Sequence, residues 1–256
     1  KNVILDIDVV GGLRIKRKFP ERTLAVFVKP PSVEELKIRL KNRKTERTRL
    51  WRGGLMAQPT KIEWTEYSWN PTTGCTKISI GCQHCYAERM AKRLKAMGNN
   101  RYKDGFEVTI HEDLFDRPLR WRTPKVIFVN SMSDLFHEDV PDDAIIRIFE
   151  TMNKCPQHTF QILTRRSDRL RQISKMLKWT HNIWMGVTVE SNDFVFRISD
   201  LLGSDARTKF ASFEPLLGPI NVDLIGDIDW MIVGGESGPK AREMKTLQPN
   251  QCLQTP

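Results

Sequence analysis

The chain has 256 residues, 39% of them hydrophobic, with 15 Gly and 14 Pro, a composition that excludes disorder as the main state and suits one large domain or two small ones. No apolar run approaches the roughly 18–20 residues that span a bilayer, and no charged-then-apolar segment opens the sequence, so a cytoplasmic protein is expected. The net charge of +10 is uneven: residues 1–55 hold 15 Lys+Arg against 6 Asp+Glu, and residues 56–256 hold 26 against 25, which leaves no compositional support for nucleic-acid binding by the larger part and predicts a boundary near residue 55.

In chain order, residues 3–8 read as a strand, Gly11 and Gly12 as a turn, and 13–19 as a short basic helix. Residues 23–28 read as a second strand, broken by Pro30 and Pro31, after which Ser32 and Glu35 make a capping box for a helix ending near residue 44. This βαβα fragment, with Asn2-Val-Ile-Leu-Asp-Ile-Asp-Val-Val-Gly-Gly, Pro30-Pro31-Ser32 and Arg39 through Arg43, resembles the middle of a bacterial guanylate kinase over residues 1–48. The resemblance implies that Asp8 lies near nucleotide and metal and that Arg39 and Arg43 approach phosphates. Phosphoryl transfer needs a phosphate-cradling loop, and no G-x-x-x-x-G-K-[ST] occurs, so kinase activity is not expected. The segment reads as a stranded piece of another gene product, in keeping with Lys1 at the start, joined through residues 49–55 to a part that opens at Met56. An inactive remnant keeping GMP affinity is one alternative function.

Three of the five cysteines, Cys75, Cys82 and Cys85, form C-x6-C-x2-C, a clustering that favours metal-holding thiolates over disulfides. Gly74 and Gly81 precede the first two and allow the backbone to fold the three together. A closed zinc site takes four ligands, whereas a [4Fe–4S] cluster on three cysteines leaves one iron open for a substrate or cofactor. That open iron is what radical S-adenosylmethionine chemistry requires, although its usual spacing is C-x3-C-x2-C with an aromatic residue before the last cysteine; here His84 precedes Cys85 and Tyr86 follows. The alternatives are a Cys3His zinc site drawing on His84, His111 or His137, in a binding module without catalysis, and three unrelated buried thiols.

Beyond the cysteines a helix is predicted over 86–97, ended by Gly98. Strands are predicted at 106–110, 125–130, 159–163, 183–189, 208–213 and 229–233, and helices near 114–121, 141–153, 167–178 and 192–202. Repeated βα units predict an α/β fold closing into a full or partial (β/α) barrel, with an open doubly wound sheet as the other solution. Barrel sites form after strand C-termini, and polar residues recur there: Asn130, Ser131, Asp134 and His137, then Thr164, Arg165 and Arg166, then Glu190, Glu214 and Glu236. The three glutamates are the candidate catalytic groups, able to bind a ribose or to move protons if burial raises their pKa, or else simple helix N-terminal charges. Asn130, Ser131, Asp134, Thr164, Arg165, Gly234 and Gly235 are the candidate cofactor contacts, with Arg165-Arg166 readable also as a solvated pair and Gly234 through Gly238 as a plain turn. Trp64, Trp69, Trp121, Trp179, Trp184 and Trp230 are expected to pack, and Cys155 and Cys252 to be structural or incidental.

Over residues 56–245 the chain resembles the phage gene-product thirty-seven/sixty-eight family of three-Cys-motif proteins, through Trp69-Asn70-Pro71, the three cysteines, Asn130 through His137, Leu163 through Arg166, Gly186 through Glu190, Ser212 through Leu216 and Val233 through Gly238. The resemblance implies a radical-SAM-type protein. Cys75, Cys82 and Cys85 would hold the cluster, S-adenosylmethionine would be the cofactor, and the partners would be an electron donor and an unidentified substrate, with nucleic acid or nucleotide suggested by the phage association. Family members continue past the glycine loop, whereas residues 246–256 turn polar and stop, so the barrel is expected to be incomplete with an exposed edge.

Overall fold

The computed structural model describes residues 4–6, 57–60, 62, 64–221, 226–236 and 241–242, all within the compact unit formed by residues 1–6 and 56–256. The elements expected at 13–44, the junction and the tail lie outside the described residues. Among the described residues there are ten strands: β1 (Ile4–Asp6), β2 (Ala57–Pro59), β3 (Tyr67–Trp69), β4 (Thr72–Thr73), β5 (Thr109–Ile110), β6 (Val126–Val129), β7 (Thr159–Thr164), β8 (Ile183–Thr188), β9 (Thr208–Phe213) and β10 (Trp230–Val233). Four α-helices accompany them there: α1 (Tyr86–Ala96), α2 (Asp142–Asn153), α3 (Ser167–Ile173) and α4 (Phe196–Leu202).

The main sheet has the order β1-β10-β9-β8-β7-β6-β3-β2. Six strands from β3 to β10 run parallel, β1 adds a parallel strand beyond β10, and β2 closes the other edge antiparallel. From β6 to β10 each strand lies beside its predecessor, so successive right-handed crossovers put the intervening helices on one face. A doubly wound sheet reverses its strand order and is thereby excluded. Of the full and partial rings expected, the partial one agrees with the structure, since among the described residues β1 and β2 are the ends of the sheet and do not pair with each other.

Side-chain alternation separates the two faces. Ile127 and Val129, Phe160 and Ile162, Ile183, Met185 and Val187, and Ala211 and Phe213 share one buried core with Ile145, Ile148, Phe149 and Met152 of α2, Leu170 and Ile173 of α3, and Ile198 and Leu201 of α4. Each such large side chain removed from water contributes roughly 1.5–3 kcal/mol before chain entropy is counted. Asp142 and Asp143 in the first turn of α2 suit its positive end.

The opposite, inner face carries Phe128, Gln161, Leu163, Trp184, Gly186, Thr188, Phe210, Ser212, Trp230 and Ile232, as the strand registers require. Its lower end is filled by rings: Trp64 lies 4.8 Å from Phe128 and 5.9 Å from Trp230, and Phe210 lies 5.1 Å from Trp230. Gly186 makes room for this layer, because a Cβ there would stand 2.4 Å from the Phe210 ring. Trp64, Trp184 and Trp230 therefore pack as expected, as do Trp69, fully buried, and Cys155 in the core.

Several predicted elements change form. The strand expected at 106–110 shrinks to β5, which pairs with β4 outside the main sheet, because the carbonyl of Phe106 is taken by the amide of Cys75. The helix expected near 114–121 becomes two 3-10 turns, 112–114 and 117–120, with Pro118 denying a helical donor. The helices near 167–178 and 192–202 each hold a 3-10 turn at one end. Strands β2 and β3 were not expected.

Candidate functional site

The cysteine loop, residues 74–85, lies over the C-terminal ends of the parallel strands and is fixed there at four places. At its start Gly74 bridges to Ser133, and its amide donates to the Met132 carbonyl at 3.0 Å. Gly74 has φ +85°, and a Cβ would meet the Glu107 carbonyl oxygen at 2.0 Å, so only glycine fits.

Arg166 holds the next stretch. Its guanidinium donates to Cys75 Sγ at 3.3 Å, to the Thr76 carbonyl at 3.2 Å and hydroxyl at 2.7 Å, and to Glu138 at 2.7 Å. Burial, and secondarily the Asp134 charge, pushes the Cys75 thiol up to about 12 despite Arg166, so without metal this sulfur keeps its proton. The hydrogen bond from Arg166 holds Glu138 down at about 2.

Glu190 supports the middle of the loop. Its carboxylate is fully buried and accepts from Ser79 Oγ at 2.6 Å, Arg165 Nε at 2.9 Å and Arg197 Nη1 at 2.8 Å. The backbone of Gly81 presses against it, since a Cβ would stand 2.4 Å from Glu190 Oε1. Burial works against the charge, but Arg165 and then Arg197 outweigh it, so the group stays ionised below its ordinary pKa. Cys82 follows the same logic: desolvation penalises the thiolate, yet Arg165 and hydrogen bonds from Ser79 and from the backbone at Ile78 and Ser79 bring its pKa down.

A clasp formed by Glu236 and Arg242 closes the far end. Glu236 accepts from His84 Nδ1 at 2.8 Å and from Arg242 at its amide, Nε and Nη2, while Arg242 also donates to the Ile80 carbonyl and the Gln83 side chain, each at 3.0 Å. The Arg242 hydrogen bonds hold Glu236 at about 2. Cys85 then caps α1, the 11-residue helix whose positive end faces the loop.

Cys75, Cys82 and Cys85 are of the donor type that a three-cysteine cluster would take. Three half-buried thiols share one braced loop, with guanidinium groups beside Cys75 and Cys82 to offset thiolate charge. Among the described residues, no three His, Cys, Asp or Glu side chains gather around one point as a single ion requires. Of the histidines weighed as a fourth zinc ligand, His111 bonds Thr73 at 2.9 Å and His137 bonds Thr76 at 2.8 Å and the Asp139 amide at 3.1 Å.

Residues 59–251 match the family described as "Protein of unknown function (DUF5131)". The chain belongs to the DUF5131 family. Among solved structures, the DUF5131 chain is similar to a doubly substituted spore photoproduct lyase with bound AdoMet and dinucleoside spore photoproduct, with TM-score 0.51, 11% identity, and coverage of 71% of this chain and 59% of that one. At that identity the likeness is one of fold. A short part of the chain is similar to guanylate kinases: 54% identity over 46 residues with the Bacteroides thetaiotaomicron enzyme, covering 18% of this chain and 22% of that enzyme, and 54% over 46 residues with the Porphyromonas gingivalis enzyme, covering 18% and 24%. With the Bacillus subtilis enzyme it shares 37% over 105 residues, 38% of this chain and 51% of that enzyme. The chain thus spans between about a quarter and a half of these curated relatives.

The predicted site residues of this DUF5131 protein fall into two groups. Glu190 and Glu236 brace the cysteine loop, and Arg165 joins Glu190 to the Glu214 backbone carbonyl at 3.5 Å. Gly234 packs beside Glu214, whose carboxylate would lie 3.2 Å from a Cβ there, and Gly235 follows it. Asn130, Ser131, Asp134 and Thr164 tie strand ends together: Asn130 Nδ2 donates to Thr72 Oγ1 at 2.9 Å, Ser131 Oγ to Asn70 Oδ1 at 3.2 Å, and Thr164 Oγ1 to Asp134 Oδ1 at 2.7 Å, while Asp134 Oδ2 accepts the Arg165 amide at 3.0 Å.

Two expectations are corrected. Burial does not raise the pKa of Glu190 or Glu236, because arginines reach both, and Arg165-Arg166 is a pair of anchored side chains rather than a solvated one. Ser79, Glu138, Arg197 and Arg242 were missed. Only Arg197 left a trace in sequence, as a charge seven residues beyond Glu190 on a helix whose neighbours are apolar.

Proposed function

We propose that this DUF5131 protein is a radical-S-adenosylmethionine enzyme whose [4Fe–4S] cluster is held by Cys75, Cys82 and Cys85. The observation that carries the reading is the seating of a three-thiol loop, through Gly81 and Ser79 on Glu190, over the C-terminal edge of a partial parallel barrel. The fold likeness to a lyase whose structure holds AdoMet and a dinucleoside supports it, and the sequence resemblance to phage three-Cys proteins agrees.

A reduced cluster of this kind supplies the electron that cleaves the AdoMet sulfonium. The chain's own groups do the rest. Arg166 donates to Cys75 Sγ and stabilises its thiolate form. Arg165, Glu190 and Arg197 fix the middle of the loop against the rim. In this reading Asn130, Ser131, Asp134 and Thr164 hold the scaffold, while Arg165, Glu214, Gly234 and Gly235, which follow β7, β9 and β10 at the same rim, would contact the cofactor or substrate. Glu190 and Glu236 serve as fixed anions, since their low pKa values remove them as proton donors near neutral pH. The substrate class proposed is a nucleotide or nucleic acid.

Anaerobic reconstitution with iron and sulfide tests the reading. About four irons per chain and AdoMet-dependent 5′-deoxyadenosine, both lost in Cys82→Ala, are expected; one zinc and no cluster would overturn it.

One observation favours a zinc-stabilised binding module instead. His84 gives Nδ1 to the Glu236 carboxylate, an arrangement common for metal-ligating imidazoles. Zinc that is released by His84→Ala, with no iron bound by the unaltered chain, would select that alternative.

A further inference from the structure

Arg166 joins the scaffold directly to a sulfur. Its backbone is set from both sides at the junction of β7 and α3, the amide donating to Thr164 Oγ1 at 2.9 Å and the carbonyl accepting from the Leu170 amide at 3.1 Å. Its side chain is almost wholly buried. All three guanidinium nitrogens are committed: Nε to Glu138 at 2.7 Å, Nη2 to the Thr76 carbonyl at 3.2 Å and hydroxyl at 2.7 Å, and Nη1 to Cys75 Sγ at 3.3 Å. A planar fork tied at three corners cannot turn from the sulfur without leaving those acceptors unpaired.

The loop does not need the sulfur contact for its fastening. Gly74 is already held by the Met132 carbonyl and the bridge to Ser133, and His137 Nε2 meets the Thr76 amide at 3.2 Å and hydroxyl at 2.8 Å. The contact from Nη1 to Cys75 is therefore left with an electronic consequence rather than a mechanical one.

Acids stand around the same guanidinium and weigh against it. Asp134 Oδ2 lies 3.6 Å from Nη1 and is buried, whereas the Glu138 side chain is 60% exposed. Asp139 is turned to His137 at 3.7 Å, and Glu236 is taken by Arg242 at the other end of the loop. Arg166, Asp134 and Glu138 together sum to −1, so Cys75 sits in no general positive field. At its sulfur the Asp134 charge opposes the thiolate and Arg166 favours it.

We propose, resting on the cluster reading above, that Arg166 is a positioning residue that acts through Cys75 to raise the reduction potential of the cluster, with Asp134 and Glu138 as its counterweight. A reduced cluster carries one more negative charge than an oxidised one, and net charge and hydrogen bonds to the sulfurs are among the influences that set its potential. An N–H aimed at Cys75 with a full positive charge behind it favours the reduced form. Loss of Arg166 removes both and leaves the sulfur facing the two acids, so the potential falls. Loss of the Glu138 charge acts in the opposite sense and more weakly, because water screens an exposed carboxylate.

The test is an anaerobic redox titration of the reconstituted full chain, followed by electron paramagnetic resonance after four-iron loading has been confirmed. Arg166→Met is expected to raise the oxidised-to-reduced ratio at a fixed potential about tenfold, a midpoint about 59 mV lower for one electron. Arg166→Lys, which keeps the charge without the fork, is expected to fall between that variant and the unaltered chain. Glu138→Gln is expected to move the midpoint upward by a smaller amount, and it decides the matter alone if Arg166→Met holds no iron. Midpoints that coincide in all the loaded proteins would overturn the proposal. A downward shift in Glu138→Gln as well as in Arg166→Met would overturn it too, since loss of a shared fastening moves both the same way. An unaltered chain that binds no iron fails the functional reading and this proposal together, whereas four irons with an unmoved midpoint fail only the role of Arg166.

Discussion

The hydroxyl of Ser79 donates to the buried carboxylate of Glu190 at 2.6 Å, across 111 residues of chain. That one bond joins the middle of the cysteine loop to the end of β8, and the same carboxylate is shared by Arg165 and Arg197. The loop thus rests on an ion group that also holds the strand ends β7 and β8 to helix α4.

Removing the carboxylate leaves two guanidinium groups without their counter-charge. Arg197 has almost no access to water, so Glu190→Ala is expected to lower the unfolding free energy by about 3–5 kcal/mol, the range for breaking a buried pair from one side. Urea denaturation followed by circular dichroism measures it. A loss well under about 1 kcal/mol would show that the group carries little of the fold.

Gly81→Ala is expected to separate the loop from the scaffold. Its Cβ would arrive 2.4 Å from Glu190 Oε1, and the carboxylate is pinned on three sides, so the loop must move instead. The expected result is iron loading reduced severalfold with a thermal midpoint within a few degrees of the unaltered chain. Full iron loading would refute the close seat.

Gly186→Ala tests the inner face. A Cβ 2.4 Å from the Phe210 ring overpacks a layer shared with Trp64 and Trp230, which is expected to cost about 1–3 kcal/mol. Pairing it with Phe210→Leu should recover part of the loss in a double-mutant cycle; strict additivity would argue against the contact.

Acid stability follows from two depressed groups. Burial lowers His111 from 6.5 to about 4, so its neutral ring is favoured in the fold and stability falls as pH drops from 6.5 towards 4, where the unfolded chain takes up the proton first. Glu236 is lowered from 4.5 to about 2 by Arg242, so its contribution is whole above 4.5 and is lost as pH falls towards 2. Urea midpoints measured against pH should flatten in the upper window for His111→Gln and in the lower one for Glu236→Gln. A profile unchanged by either substitution would contradict these assignments.

The βα repeat was legible because Val126–Val129, Thr159–Thr164, Ile183–Thr188 and Thr208–Phe213 are apolar runs of strand length, and because α2 shows its buried stripe of Ile145, Ile148, Phe149 and Met152 at helical spacing. Strands β2 and β3 were hidden by their brevity: three residues such as Tyr67-Ser68-Trp69 carry too few alternations to register, and pairing with β6 is what makes β3 a strand. The glutamates were legible as positions, each closing or following a strand, and Gly74 and Gly81 as places where backbone folds closely. Their electrostatic state was not. Whether a buried carboxylate is lifted or depressed depends on which arginines reach it: Arg165 reaches Glu190 across 25 residues, and although Arg197 and Arg242 stand only seven and six residues from Glu190 and Glu236, the turns that bring them back are set by packing rather than by a helical or strand period.

The clasp of Arg242 onto residues 80–83 also sets a schedule. On the ribosome all three thiols have been synthesised by residue 85, but Arg242, the last of the loop's four supports, follows roughly 10–30 s later at ordinary rates of translation. By the end of that interval the loop has Arg166 behind Cys75 and Glu190 behind Ser79 but still lacks the clasp on residues 80–83, and a polypeptide released before residue 242 would leave the ribosome without that last fastening.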